Sequence, residues 1–378
     1  MRRETVAPRA AWQDKVSAQG LTFHTPDGQP YWDESICYRF RAGEVDQIEA
    51  ATNDLQELCL KAAQHVIDNQ RYAEFHIPPA AVPFIEKAWN SEPPSIYGRF
   101  DLAFDGRNPP KMLEYNANTP TSLIEASVIQ WYWLQDMFPK ADQFNSVHEK
   151  LIAQWKEIRP CLRSGLLYFT STTAHEDVMT LAYLKDVAAQ AGVDTTAIAI
   201  NDIGWNDDAV EFRDLNELPI RNIFALYPWE WLLAEYPEAV LRAQGNSLWI
   251  EPIWKMLWSN KALLAILWEL FPEHPNLLET HLDDPGTMRE YVRKPILSRE
   301  GSNIFLRTKS GVAETGGPYG DGPVVYQAAA RTLDFDGKYP VIGSWLVTDQ
   351  GACGIGIRES DTPITDNRSR FVPHYFTR

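Results

Sequence analysis

Residues 97–120 have the pattern of a β-hairpin, and this segment constrains the fold of the chain more than any other. Its first half carries Arg99 and Asp101, and its second half carries Glu114 and Asn116. Side chains two residues apart lie on one face of a strand, so each pair is expected to share a face. The Asp-Gly-Arg-Asn-Pro-Pro sequence between the halves is typical of a turn.

One face of this hairpin would present two carboxylates, an amide oxygen and a guanidinium. Hard oxygen ligands beside an arginine are what Mg²⁺ and a phosphoryl group under transfer require. The alternative interpretation is a solvated hairpin whose charges share no task. The hairpin taken alone leaves both interpretations open.

Length and charge limit the class of protein. A chain of 378 residues can form two or three domains, and 44% hydrophobic residues with 14 tryptophans indicate a large ordered core. The net charge of −16 disfavours binding to nucleic acid and to anionic membrane surfaces. It is compatible with a cationic substrate such as a polyamine.

The cysteines favour a reducing compartment. Cys37, Cys59, Cys161 and Cys353 are scattered and have no zinc-type spacing, so we expect buried free thiols. The basic N-terminus has no apolar stretch behind it, which argues against a secretory signal. The sequence also has no apolar run of roughly 18 residues, so we expect a soluble, cytoplasmic protein without a membrane span.

Helices and a parallel sheet are expected in the first two thirds of the chain. Apolar periodicity predicts one helix over 44–70 and a second from about 122 to 138. Between 165 and 226, short apolar runs alternate with a helix that ends at Gly192, which indicates a parallel, Rossmann-like unit. Because Gly-x-Gly-x-x-Gly is missing from the unit, we assign no nucleotide to it.

The last third reads as rich in strands and turns. Strands are expected over 291–297 and 323–328, and a hairpin is expected from 341–347 and 354–358. Together they would form the sheet-rich layer that a nucleotide site needs.

Two lysines are candidates for holding phosphates. Lys261 lies at a helix start where Ser259 or Asn260 would be the cap, and Lys294 lies within an apolar strand. Two ammonium groups from two elements can bind the phosphates of one nucleotide. A solvated lysine is the alternative for each.

The loop 299–304 follows the Lys294 strand and resembles a lid. Gly301 and Asn303 tolerate positive φ, so neighbouring N–H groups are placed to converge on an anion, although a plain hairpin turn is the alternative. Gln327 ends a strand, and composition alone leaves it as either a site residue or a core-edge glutamine. Arg358 ends a glycine-rich strand, and its alternative is an ion pair with a neighbouring acid, Glu359 or Asp361.

Polar residues at two helix starts are candidates for substrate binding. Thr119, Thr121 and Ser122 follow the hairpin and either bind a carboxylate or cap the next helix. Glu176 and Asp177 either bind a cationic amine or complement a helix dipole. His175 beside them is interpreted as a surface or capping residue.

Several motifs taken together resemble one family. They are Leu-Glu-Tyr-Asn-Ala-Asn-Thr-Pro-Thr-Ser-Leu, Leu-Tyr-Pro-Trp-Glu-Trp, Glu-Pro-Ile-Trp-Lys, Ser-Asn-Lys-Ala-Leu-Leu, Tyr-Val-Arg-Lys-Pro, Ile-Gly-Ser-Trp and Gly-Ile-Gly-Ile-Arg-Glu. The chain is similar to the glutathionylspermidine synthase family of ATP-grasp type from about residue 23 to residue 375. It most resembles the short stand-alone members, which are classed as acid–amine ligases.

The resemblance implies an α+β fold. The hairpin lies in the first third of the chain, which resembles the permuted, glutathione-synthetase-like ATP-grasp with a Rossmann-like pre-ATP-grasp unit. The implied domains are a helical region with the metal-binding hairpin (1–160), the Rossmann-like substrate unit (161–245), and the nucleotide-binding region with its lid (246–378).

The resemblance also implies site residues by motif. Mg²⁺ ligands would be Asp101, Glu114 and Asn116, and catalytic arginines would be Arg99, Arg299 and Arg358. ATP contacts would be Arg99, Phe100, Asp101, Lys261, Lys294, Gly301, Gln327, Ile364 and Thr365. Substrate contacts would be Thr119, Thr121 and Glu176.

The implied function is an ATP- and Mg²⁺-dependent ligase that joins a small-molecule acid to an amine through an acyl phosphate. The acid would be a glutathione-like peptide and the amine a polyamine-like molecule. Ala225 stands where the family pattern has a lysine, so the substrates of this chain are open. A nucleotide-binding protein without catalysis and a kinase-like transferase that releases a phosphorylated acid are the alternatives.

Overall fold

The computed structural model describes residues 1–320 and 322–377 and shows a mixed α+β architecture built on several sheets. The strands are β1 (Arg2–Thr5), β2 (Ile36–Arg41), β3 (Tyr97–Ala103), β4 (Lys111–Asn116), β5 (Leu167–Ser171), β6 (Thr195–Ala197), β7 (Gly204–Asn206), β8 (Glu211–Arg213), β9 (Asn222–Leu226), β10 (Leu248–Ile250), β11 (Thr280–Leu282), β12 (Tyr291–Pro295), β13 (Phe305–Thr308), β14 (Gly311–Glu314), β15 (Val324–Ala328), β16 (Tyr339–Val347), β17 (Gly351–Ser360), β18 (Arg370–Val372) and β19 (His374–Thr377). The α-helices are α1 (Trp12–Ala18), α2 (Ala42–Asp68), α3 (Val82–Ser91), α4 (Gln130–Met137), α5 (Val147–Ile158), α6 (His175–Gln190), α7 (Trp229–Glu235), α8 (Pro237–Arg242), α9 (Met256–Ser259) and α10 (Ala262–Leu270).

The predicted hairpin of residues 97–120 is confirmed as β3 and β4. The two strands pair antiparallel, with Arg99 opposite Asn116 and Asp101 opposite Glu114. A register shift follows Asp101, and such a bulge re-aims neighbouring side chains. The four polar side chains therefore belong to one stretch of one sheet.

The hairpin of the last third is also confirmed, but it joins a different sheet from the one expected. Strands β16 and β17 pair with each other, and β16 also pairs with β3, which gives the order β18-β17-β16-β3-β4. A separate sheet has the order β11-β15-β12-β13-β14 and contains Lys294 and Gln327. Sequence adjacency does not reveal which long-range partner a hairpin takes. Since the first sheet combines strands from 1–160 and 246–378, the three domain boundaries stay a prediction.

The expected parallel unit is present. Strands β6, β5, β9 and β10 pair parallel in the order β10-β9-β5-β6, and α6 connects β5 to β6. Helix α6 ends close to Gly192, whose φ of 82° places it in the left-handed region. The end of β9 and the start of α7 carry the Leu-Tyr-Pro-Trp-Glu-Trp motif.

Helix α2 matches the prediction for 44–70 within two residues at each end. Its apolar stripe, which includes Val45, Ile48 and Leu55, is buried in the main core. The Glu44 side chain accepts a hydrogen bond from the Arg41 backbone N–H and closes the N-terminus of the helix.

The helix expected from about 122 to 138 begins with a π-helical turn, Glu125–Ile129, before α4. A π-turn inserts one extra residue into the helical repeat, and apolar periodicity alone does not reveal it. Cys37, Cys59 and Cys353 are buried thiols as expected, but the expectation was wrong for Cys161, which is exposed. Within the described residues, we find no helix of the length and apolarity that crossing a bilayer requires.

Candidate active site

The polar face of the β3–β4 hairpin is a tight cluster of charges. Arg99 donates from Nε to Asp101 Oδ1 at 2.7 Å and from Nη2 to Asp101 Oδ2 at 3.2 Å. Lys261 Nζ lies 3.0 Å from Glu114 Oε2. The amide nitrogen of Asn116 lies between the acids, 3.2 Å from Asp101 Oδ2 and 3.4 Å from Glu114 Oε1. Strand alternation and the cross-strand register together produce this arrangement.

Burial and neighbouring charges act in opposite directions on the two carboxyl groups. Burial raises the pKa of Asp101, against the opposing charge of Arg99. Burial also disfavours the Glu114 carboxylate, but the charges of Lys261 and Lys294 outweigh it and hold the pKa of Glu114 well below its ordinary value. Glu114 is therefore an anion at neutral pH, as a metal ligand must be.

The donor set fits a hard divalent cation. Among the described residues no three His, Cys, Asp or Glu side chains form a metal-binding group, so a cation here needs the Asn116 amide beside the two acids. Asn116 now turns its nitrogen toward both carboxylates, and a half-turn of the amide would present its oxygen instead. Two carboxylates and an amide oxygen suit Mg²⁺ better than a softer metal.

A cavity of about 460 Å³ opens beside this face and is called here the large cavity. Its lining includes the predicted Mg²⁺ ligand Glu114 and most of the residues that the sequence predicts for nucleotide binding: Asp101, Lys261, Lys294, Gly301, Gln327, Ile364 and Thr365. Strands β12 to β15 form one wall and the segment 363–365 forms another. The volume lies in the range of small-molecule and cofactor sites.

Both predicted lysines are fixed at the edge of the large cavity. Lys294 Nζ donates to Gln327 Oε1 at 2.7 Å and to the Leu113 carbonyl at 3.0 Å, and burial lowers the pKa of Lys294 to about 8. Lys261 Nζ donates to the Ser298 carbonyl at 2.6 Å. Asn260 Oδ1 accepts a bond from Ala262 N at the start of α10, as expected of a cap.

Two predicted nucleotide contacts do not line the large cavity: Arg99, which lines a smaller cavity, and Phe100. Its ring is fully buried and stacks on Tyr115 with a centroid separation of 3.9 Å. It lies between Arg99 and Asp101 in β3, so strand alternation directs it to the opposite face.

The loop 299–304 lies against the segment 363–367. Gly301 has φ of 67°, and a Cβ built on it would lie 2.2 Å from the Thr365 carbonyl oxygen, so only glycine permits this approach. Asn303 also has positive φ, as expected. The N–H groups of Ser302 and Asn303 donate within the protein, to the carbonyls of Arg299 and Gly316. These two N–H groups therefore already have acceptors within the protein, as in a plain turn between β12 and β13.

A smaller cavity adjoins the large one. It is lined by Arg99, Asp101, Ser122, Arg358 and Thr365, among others. Arg358 donates to the Asp366 carbonyl at 2.8 Å and lies 5.4 Å from the Phe371 ring centroid. The ion-pair alternative for Arg358 fails because Glu359 is bonded to Arg3 and Arg370 and Asp361 is bonded to Lys338.

The structure also brings together the residues predicted for the substrates. Arg299 Nη1 donates to Thr119 Oγ1 at 2.8 Å, and Thr121 Oγ1 donates to Glu176 Oε1 at 2.5 Å. Ser122 Oγ lies 3.3 Å from the same Glu176 oxygen. The hydroxyl groups of Thr121 and Ser122 therefore orient a carboxylate at the start of α6. Asp177, beside it, accepts a bond from Thr172 Oγ1, and His175 is exposed and stacks on Phe23, as a surface residue.

Sequence reasoning missed two acids near this cluster. Glu230 accepts a hydrogen bond from Arg299 Nη2 at 2.7 Å. It belongs to the Trp-Glu-Trp motif, but nothing in that motif indicates an arginine partner. Glu125 lies in the π-turn, accepts a bond from the Tyr31 hydroxyl at 2.6 Å and has a buried Oε2 with no partner among the described residues. Burial raises the pKa of Glu125 to about 7.

Ala225 lies in β9 and is buried beside the parallel strand β5, where it pairs with Thr170. The Thr170 hydroxyl is buried and has no partner among residues 1–320 and 322–377. The lysine of the family pattern would place an ammonium group at this point.

The chain is similar in sequence to several known proteins. A Haemophilus influenzae protein that carries the provisional name acid–amine ligase is 42% identical over 367 residues, which cover 93% of this chain and 92% of the relative. Trypanothione synthetase from Crithidia fasciculata is 28% identical over 341 residues, which cover 82% of this chain and 52% of the relative. The bifunctional glutathionylspermidine synthetase/amidase of Escherichia coli is 26% identical and covers 82% of this chain and 54% of its own length.

The chain thus spans nearly the whole of the first relative and about half the length of the two longer ones. All three carry ligase or synthetase names. The family model described as glutathionylspermidine synthase preATP-grasp matches residues 3–377. By this match over almost its full length, the chain belongs to the glutathionylspermidine synthase family, a family of ligases.

Proposed function

We propose that the protein is an ATP- and Mg²⁺-dependent ligase that joins a carboxylic acid to an amine. One observation carries the proposal: the acidic face of the β3–β4 hairpin forms part of the wall of the large cavity, and Lys261 and Lys294 lie within the same wall. A metal site and a phosphate-binding site that share a wall are what phosphoryl transfer requires. The corresponding fold proposal is a permuted ATP-grasp.

Asp101, Glu114 and Asn116 would hold Mg²⁺, and Lys261 and Lys294 would bind phosphate oxygens. Bound ATP would supply the γ-phosphoryl group for an acyl phosphate, and Mg²⁺ would neutralise part of its charge. The pairing of Arg99 with Asp101 and of Lys261 with Glu114 shows that these cations already lie against the predicted metal ligands. A metal at the carboxylates would leave both cations with hydrogen-bond donors for phosphate oxygens.

Arg99 is proposed to stabilise the charge that develops on the transferred phosphoryl group. Its guanidinium is held by Asp101 and by the Thr121 carbonyl, at 2.8 Å from Nη1, and it lies over the Trp345 ring. A donor fixed in advance on several sides needs little reorganisation when the charge appears. Arg358, on the same small cavity, would bind the carboxylate of the acid substrate or its phosphorylated form.

The second step joins the amine to the activated acid. The amine nitrogen attacks the acyl carbon, the C–O bond to phosphate breaks, and the products are the amide, inorganic phosphate and a proton. Glu176, which Thr121 and Ser122 orient, would bind the ammonium group of the incoming amine before it loses its proton. Thr119 would contact the acid substrate.

A panel of acids and amines tests the proposal. Purified protein with ATP and Mg²⁺ would be screened against short peptides and polyamines for ADP and phosphate release, and the products would be identified by mass spectrometry. We expect an amide with stoichiometric ADP and phosphate. A stable phosphorylated acid would instead indicate the kinase-like alternative, and bound ATP without turnover would indicate the non-catalytic one.

A nucleotide-binding control accompanies the panel. Mg·ATP should raise the Tm of the wild type, because a ligand that binds only the folded state stabilises it. In Lys294→Ala most of this shift should be lost. A shift that survives in full would place the phosphates away from the large cavity.

A further inference from the structure

Glu230 and Arg299 form a contact between two separate parts of the chain. Arg299 follows β12 and belongs to the loop that lies against segment 363–367, whereas Glu230 belongs to α7, which follows β9 of the parallel sheet. The two side chains are joined by the hydrogen bond from Nη2 to Oε1 at 2.7 Å. The Arg299 side chain is 29% exposed and the Glu230 side chain is 15% exposed, so the pair is half-buried where the two parts meet.

The guanidinium of Arg299 is restrained on three sides. Nη2 is held by Glu230, Nη1 is held by Thr119 Oγ1, and Cζ lies 5.6 Å from the centroid of the Trp231 ring. Two fixed nitrogens and one stacked face define the plane of the group. Nε is buried and has no acceptor among the described residues, so this donor is oriented but unused.

We propose that Glu230 is a positioning residue for Arg299. Its carboxylate would fix the plane of the guanidinium, and with it the position of the Arg299 charge beside the place that an anionic group of the substrate occupies. The role rests on the proposed function, because the family resemblance implies that Arg299 is one of the three catalytic arginines of that ligase reaction. Glu230 does not line the large cavity and would contact neither the nucleotide nor the reacting atoms.

The same chain contains a matched arrangement far from the site. Arg242 Nη1 lies 2.6 Å from Asp207 Oδ1, and Arg242 Cζ lies 5.7 Å from the Trp205 ring centroid. A carboxylate, an arginine and a tryptophan thus meet in both places. Asp207→Asn is therefore the control, because it weakens an acid–arginine contact of the same kind away from the candidate active site.

The test compares Glu230→Ala with Glu230→Gln. Both substitutions remove the charge, but glutamine keeps an oxygen that can accept the bond from Nη2. We expect Glu230→Ala to lower kcat about 10–100-fold, the scale of a small misplacement of a reacting-site group. Glu230→Gln should stay within about 3-fold of wild type, and the Kd for Mg·ATP should change less than about 3-fold in both, since the nucleotide cavity is untouched.

A double-mutant cycle and hydrogen exchange complete the test. In an Arg299→Ala background Glu230→Ala should cost nothing further, since the group that it positions is gone. Amide exchange of residues 298–303 should speed up in Glu230→Ala and stay unchanged in Asp207→Asn.

The outcomes separate this proposal from the proposed function. The proposal is wrong if exchange of residues 298–303 is unchanged in Glu230→Ala, if glutamine is as damaging as alanine, or if the loss in kcat persists without Arg299. If wild-type protein forms no ADP with any acid and amine, the proposed function fails, and the exchange experiment alone still decides whether Glu230 orders the Arg299 loop.

Discussion

Gly343 faces the side chain of Arg99 at a distance that leaves no room for a methyl group. A Cβ built on Gly343 would lie 2.8 Å from Cδ of Arg99 and 3.4 Å from its Nε. The Trp345 ring lies 5.6 Å from Cζ of Arg99. Any side chain on Gly343 would thus displace the arginine that pairs with Asp101.

We therefore expect Gly343→Ala to lower turnover about 10–100-fold, the effect of moving a charge-stabilising group by a fraction of an ångström to an ångström. Steady-state ADP formation measures it. Gly43→Ala is the control, because Gly43 lies in the first turn of α2 with open space around it, so alanine there should leave turnover unchanged. Unaltered turnover in Gly343→Ala would show that the position of Arg99 is unimportant.

The proposed Mg²⁺ ligands on the acidic face of the β3–β4 hairpin lead to a prediction about Mg²⁺ dependence. Asp101→Asn and Glu114→Gln each remove one of the two anionic ligands, so the Mg²⁺ concentration for half-maximal turnover should rise about 10-fold or more. A Mg²⁺ titration of ADP formation at saturating ATP measures the change. Glu57→Gln, an exposed position on α2, serves as the control. An unchanged titration in both variants would remove these carboxylates from the metal site.

Gly301 provides a test of the contact between the loop and segment 363–367. In Gly301→Ala the new methyl group would overlap the Thr365 carbonyl, and the positive φ adds strain, so the two segments must separate. We expect the Tm shift caused by Mg·ATP to fall by at least about half in this variant. Gly316→Ala, in the segment that follows β14 and has open space around the new methyl group, should leave the shift intact. Equal shifts in the two variants would contradict the prediction.

Glu125 predicts a pH dependence of stability. Burial raises its pKa to about 7 in the folded protein, above the ordinary value of 4.5. Between pH 4.5 and pH 7 the Glu125 carboxyl is protonated in the folded protein but ionised in the unfolded chain. The contribution of this group to the free energy of unfolding is therefore fully present below pH 4.5 and is lost as the pH rises through 7.

Glu125→Gln should not lose stability as the pH rises in this range, because the glutamine side chain does not titrate. The free energy of unfolding of the variant, relative to wild type, should rise by about 3 kcal/mol between pH 4.5 and pH 8. Urea unfolding at several pH values measures it, with the exposed Glu157→Gln as control. A constant difference across this range would mean that Glu125 titrates at an ordinary value.

Local patterns predicted the geometry of those parts of the candidate site that are close together in sequence. Arg99, Asp101, Glu114 and Asn116 share a face because strand alternation and a strong turn determine both their direction and their pairing. Lys294 in an apolar strand was recognisable because a buried ammonium group needs partners, which the structure shows as Gln327 and the Leu113 carbonyl.

Contacts between distant segments were not predictable from such patterns. The pairing of β16 with β3 and the contact of Glu230 with Arg299 depend on how separate elements pack, which no spacing in the sequence encodes. The π-turn that contains Glu125 was also not predicted, because the apolar pattern was interpreted as one regular helix over residues 122–138. The family motif predicts that Phe100 lies beside the nucleotide, whereas strand alternation buries its ring against Tyr115, so this nucleotide contact stays a prediction.

The pairing of β3 with β16 has a consequence for how the protein is made. All three predicted metal ligands leave the ribosome before residue 117, but the strand that flanks them on the other side begins only at Tyr339. A nascent chain must therefore carry an incomplete sheet, with an unpaired edge at β3, through most of its synthesis. Contacts that span so much sequence close slowly, so the site is assembled late, after nearly the whole chain is present.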